Sequence, residues 1–150
     1  MSPRISAGAY RVGLGLLGLA STVACTSTQP STDIRQWTDD LAFRISVQPL
    51  PPVAEAITTF KIVVQDKETG QPIEGGQGRL FATNAERATS YDGLAKGKEV
   101  GTYYARIRFP VSGDWAVGLQ FRRDSTKPLE RTQDWSQTVQ AAPPLPPHKP

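Results

Sequence analysis

The sequence predicts an all-β protein: a single antiparallel β-sandwich of about seven strands with disordered extensions at its N- and C-termini. Three observations carry this expectation. Through the middle of the chain, apolar residues alternate with polar ones, the period that a half-buried strand imposes. Gly and Pro, 13 of each in 150 residues, interrupt that alternation at short intervals. No segment shows the long amphipathic period of a helix, and neither heptads nor repeats occur.

The elements follow in order. "AFRISVQP" (Ala42 to Pro49) puts Phe43, Ile45 and Val47 on one face, and "TTFKIVVQD" (Thr58 to Asp66) does the same with Phe60, Ile62 and Val64. "DKETGQP" is a turn-rich connection, and "GRLFATN" (Gly78 to Asn84) is a third strand. "NAERATSYDGLAKGKEVG" shows the least pattern and reads as a long loop or one helical turn near Ala85. "GTYYARIRFPVSGDWAV" reads as a hairpin. Tyr103, Ala105, Ile107 and Phe109 share a face, Pro110 to Asp114 turn, and Trp115, Val117, Leu119 and Phe121 line the returning strand. A last strand within Arg131 to Gln140 turns Trp135 and Val139 inward.

The two ends have a different character. Arg4 and Arg11 precede "VGLGLLGLASTVA" (Val12 to Ala24), an apolar run of small residues. It is short for a bilayer span, which needs about 20 apolar residues, but suits a signal peptide. It ends at Thr22-Val23-Ala24-Cys25, which resembles the lipobox of bacterial lipoproteins. The resemblance implies a lipidated Cys25 as the mature N-terminus. With Thr26 rather than Asp following, it also implies the outer membrane, facing the periplasm, in a Gram-negative cell. The competing reading is an ordinary cleaved signal with an incidental cysteine. Thr26 to Gln36 is polar and reads as a flexible tether. Ala141 to Pro150 is proline-dominated and cannot join a sheet. The expected organisation is a signal peptide at 1–24, lipidated cysteine and tether at 25–40, sandwich at 41–140 and Pro-rich tail at 141–150.

Across the sandwich, Phe60, Val64, Asp66, Gly70, Pro72, Ile73, Gly101, Tyr103, Ala105, Phe109, Pro110, Gly113 and Trp115 form a pattern of strand and turn residues. This pattern resembles the FixH-like/YtkA-like group of bacterial extracytoplasmic domains over about Phe43 to Val139. The resemblance implies an immunoglobulin-like sandwich. "KETGQPIEGG" also resembles carboxypeptidase-regulatory-like and transthyretin-like modules, which have related folds. Several members of the FixH-like/YtkA-like group carry a Met- and His-containing segment linked to copper. Here the equivalent "FATNAERATSYDGLAKGKE" has neither residue.

Composition narrows the chemistry further. The formal net charge is +3, but no acidic residue precedes Asp33, so Arg4 and Arg11 account for two of those charges. Nucleic acid is therefore not implied as a partner. The single cysteine forbids an intrachain disulfide. The only histidine, His148, is in the tail, and the only methionine is Met1. Soft-metal ligands and a catalytic imidazole are thus missing from the folded region. Asp39, Asp40, Asp66 and Glu68 read as solvated turn carboxylates. No catalytic residue, metal site or cofactor is expected.

What remains is charge. Arg106 and Arg108 point away from Tyr103 and Ile107, and Arg122 and Arg123 are expected to extend the stripe on the partner strand. These four are the candidate binding surface for an envelope protein or an anionic surface, weighed against an ordinary solvated face that discourages edge pairing. The sequence thus points to a non-enzymatic, lipid-anchored envelope module that recognises or assembles a partner. The alternatives are a metal-handling or oxidase-assembly accessory, or a transthyretin-like or carboxypeptidase-regulatory-like binding module.

Overall fold

The computed structural model describes residues 33–144. Its strands are β1 (Ile34–Trp37), β2 (Leu41–Gln48), β3 (Ile57–Asp66), β4 (Gln77–Asn84), β5 (Thr89–Gly93), β6 (Ala95–Lys96), β7 (Thr102–Arg108), β8 (Gly113–Arg122), β9 (Glu130–Arg131) and β10 (Trp135–Val139). The first sheet has the order β1-β2-β3-β7-β6. The second has β10-β8-β4-β5, with β9 also paired to β8. All pairings between strands are antiparallel. This is the expected all-β sandwich. The strands beyond the six that alternation marks are the short ones, β1, β5, β6 and β9.

Alternation sets the inner faces. Leu41, Phe43 and Ile45 of β2, Phe60, Ile62 and Val64 of β3, and Tyr103, Ala105 and Ile107 of β7 are buried. Against them pack Leu80 and Ala82 of β4, Trp115, Val117, Leu119 and Phe121 of β8, and Trp135 and Val139 of β10. Burying each large side chain contributes roughly 1.5–3 kcal/mol. The sheets meet edge to face at their aromatics. Phe121 lies 5.9 Å from Phe43 and 5.2 Å from Tyr103, and Phe109 lies 5.2 Å from Trp115.

The Gly101 to Val117 stretch is not a hairpin. β7 pairs with β3 and β6, whereas β8 pairs with β4, β9 and β10, so the connection crosses from one sheet to the other. Pro110 has no N–H to continue a ladder, and the Phe109 carbonyl accepts the Glu55 N–H at 2.8 Å instead. Gly113, at φ +119°, starts the new strand in a conformation that side chains rarely adopt. The patternless segment after Asn84 is also not helical. It forms β5 and β6, joined to β4 by a turn in which Asn84 Oδ1 accepts the Ala88 N–H. β1 begins at Ile34, inside the segment expected to be tether. Residues 145–150 of the Pro-rich tail lie outside the described residues.

Two local devices close the structure. Tyr103 donates its hydroxyl to the Ile73 carbonyl at 2.6 Å and accepts the Gly76 N–H at 3.0 Å. This pins the β3–β4 connection over the core, and burial pushes the phenol pKa up. A Cβ at Gly76 would sit 1.9 Å from Phe121 Cζ, so only glycine lets the ring lie there. At the far flank, β6 covers the start of β7. β5 then lends side chains to the remainder: Asp92 Oδ2 accepts the Arg106 N–H at 2.7 Å, and Ser90 donates to the Arg108 carbonyl at 2.6 Å. The described residues, 33–144, form one compact unit with its own core.

Two hydroxyls give opposite expectations. Tyr103→Phe strands the Gly76 N–H and Ile73 carbonyl, and should cost about 1–2 kcal/mol. Thr58 Oγ1 is buried with no partner among the described residues. Thr58→Val keeps the shape and should be neutral or stabilising by up to about 1–2 kcal/mol. Urea unfolding of both variants checks the contrast.

Candidate interaction surface

The four arginines singled out in the sequence do not form one stripe, because β7 and β8 lie in different sheets. Arg106 and Arg108 stand exposed on the outer face of the first sheet. Arg122 stands on the second sheet, where it donates to Gln77 Oε1 at 2.8 Å. Arg123 folds back onto Asp66 Oδ2 at 2.6 Å and onto the Asp40 carbonyl at 3.0 Å. Cys25 lies outside the described residues.

Register shows what the outer face of the first sheet does bring together. Arg35 of β1 is directly opposite Arg44 of β2, and both are exposed. Like charges in that position repel. Lys61 of β3 is opposite Ser46 and Tyr104, and Arg106 and Arg108 are opposite Thr59 and Ile57. Strand spacing puts the two arginine pairs roughly 20 Å apart. Lys61 is paired with Glu99 at 3.1 Å, and that contact raises its pKa. Asp33 and Asp92 border the face but are engaged, the first with the Ser46 hydroxyl and the second with the β7 backbone. Among the described residues, the guanidinium groups of Arg35, Arg44, Arg106 and Arg108 have no hydrogen-bond or ion-pair partner.

The second sheet is organised the other way. Arg79 donates to Gln120 at 2.7 Å, and Arg122 to Gln77. Arg131 reaches Asp134 at 3.1 Å and lies 4.6 Å over the Phe81 ring. A wide depression of about 510 Å³ crosses this face over Thr83, Ala116 and Ser136. The carboxylates beside it, Asp114 and Asp134, are engaged by Thr138 and Arg131. Charge on this face is therefore spent internally.

Beside Arg35 and Arg44, Trp37 stands on the same outer face and is 53% exposed. With Ala42, Phe43 and Gln65 these residues line a cup of about 150 Å³. Arg44 was legible in the sequence as the outward residue between Phe43 and Ile45. Arg35 and Trp37 were not, because a four-residue strand in a polar segment leaves too little alternation to detect.

The carboxylates have structural work. Asp66 Oδ1 accepts the Glu68 and Thr69 N–H groups and the Thr69 hydroxyl, while Oδ2 takes Arg123. The node ties the β3–β4 turn to the chain after β8. Among the described residues, no three His, Cys, Asp or Glu side chains cluster as metal ligands do. Searches against protein-family models, curated proteins and solved structures find no match to this chain.

The Asp66 node implies a pH dependence. The Thr69 N–H, then Arg123, hold the Asp66 carboxyl well below the usual carboxylate range. Its contribution to stability is therefore present above the unfolded carboxylate pKa of about 4 and is lost as pH falls below that value. Urea midpoints measured down the acid range should drop for the wild type and drop less steeply for Asp66→Asn. Identical slopes would assign the acid limb to other groups.

Proposed function

We propose that this chain is a lipid-anchored, non-enzymatic module of the bacterial cell envelope that recognises or assembles with an anionic partner. Cys25 is the anchor in this reading, in the outer membrane facing the periplasm of a Gram-negative cell. The recognition face is the outer face of the first sheet. One observation supports this choice of face: its four arginines point unpaired into solvent, while those on the strands of the second sheet are each held by a neighbour. An unpaired guanidinium keeps its full donor fork for a carboxylate or phosphate. From the FixH-like/YtkA-like resemblance we keep the extracytoplasmic sandwich. We leave aside its metal chemistry, because the segment between the two halves of the pattern has neither Met nor His.

Two measurements test the parts separately. In cells fed a palmitate analogue, the wild type should be tagged and Cys25→Ser should not; equal tagging rejects the anchor. When the unlipidated chain is added to native membranes, Arg106→Glu with Arg108→Glu should lose the co-sedimentation that Arg122→Glu retains. Equal loss in both variants would reject the first-sheet face.

A further inference from the structure

The anionic partner can be narrowed from the corner of the face where β1 enters the sheet. Arg35 and Arg44 oppose each other across β1 and β2, and Trp37 stands beside them on the same face, half exposed. Between them is the cup of about 150 Å³, with Ala42 and Gln65 also lining it. Two unpaired guanidinium groups facing a small concavity suit a phosphate, whose oxygens accept from both forks. An exposed indole at the rim suits the headgroup level of a bilayer, where its apolar body and N–H are both accommodated.

The chain's own connectivity points the same way. Nine positions separate Cys25 from Ile34, a reach of at most about 30 Å even when fully extended. An anchor on Cys25 would therefore keep this corner within a few nanometres of the lipid surface, at a high effective concentration. Basic residues near an anionic leaflet are each attracted to it, and the attraction falls off within a Debye length.

We propose that the outer face of β1 and β2 is a membrane-docking surface. In it, Arg35 and Arg44 hold the phosphate of anionic lipid headgroups and Trp37 enters the interface. The domain then lies against the membrane that carries its anchor, with Arg106 and Arg108 extending the contact. This rests on the choice of face made above, and it does not require lipidation.

The test uses the chain from Thr26 to Pro150, which has no lipid and contains all of the described residues with their core. It is mixed with vesicles of phosphatidylcholine alone or with phosphatidylglycerol added. It should sediment with the anionic vesicles and not with the neutral ones, and high salt should release it. Trp115 and Trp135 are buried, at 1% and 9% exposure, so a blue shift of emission on binding reports Trp37. Arg35→Glu with Arg44→Glu should lower partitioning on the order of twentyfold or more. Arg122→Glu should partition like the wild type. Near-ultraviolet circular dichroism confirms that each variant is folded. Absence of sedimentation with anionic vesicles overturns the proposal, as does undiminished binding by the Arg35/Arg44 double variant. Capture on immobilised polyglutamate in place of vesicles overturns it in favour of an acidic protein. Failure of palmitate tagging with vesicle binding intact would remove the anchor and leave this surface standing.

Discussion

The edge-to-face contact of Phe121 with Phe43 and Tyr103 is the constraint around which this sandwich is arranged. One ring from the second sheet is received by two from the first, which fixes how the sheets sit on each other at that end. The position of that ring excludes any side chain at Gly76. It also holds Tyr103 where its hydroxyl can satisfy the backbone of the β3–β4 connection. A single packing contact thus determines a glycine, a buried phenol and the path of a loop. Nearly all the residues behind the family resemblance have duties of this kind. Gly70 and Gly101 are at φ +72°, Asp66 organises a turn, and Phe109 meets Trp115 edge to face. Such residues describe a scaffold and leave the chemistry of its surface open.

With the inner faces largely apolar and free of charged side chains, charge is displaced to the two outer faces, and the sheets dispose of it differently. On the second sheet, amide, carboxylate and aromatic neighbours absorb each arginine. On the first, register sets Arg35 against Arg44 and leaves Arg106 and Arg108 beside Thr59 and Ile57, which offer no counter-charge. The field of the domain is therefore lopsided in a way that its modest net charge conceals.

Much of the fold was readable from alternation because the inward rows are strict. Phe43 and Ile45, Phe60 to Val64, and Trp115 to Phe121 all fall as their spacing requires. Alternation reports which face a residue occupies and says nothing about which strand lies alongside. This is why β7 and β8 read as a hairpin although they belong to opposite sheets. The same blindness joined Arg106 and Arg108 to Arg122. Arg123 is a further case, since its partner Asp66 is 57 positions away and only the folded chain makes them neighbours. β1 and β5 are short and lack two large apolar residues on one face, so they do not stand out from loops, whereas the equally short β10 does through Trp135 and Val139.

The flank of the first sheet beyond β7 is covered by β6 and by the Ser90 and Asp92 side chains, whereas among the described residues β1 is paired along one side, to β2. A ribbon of molecules joined strand to strand needs two open margins on each member. Among the described residues this sheet has one of any length, so association through it alone would stop at a pair of chains.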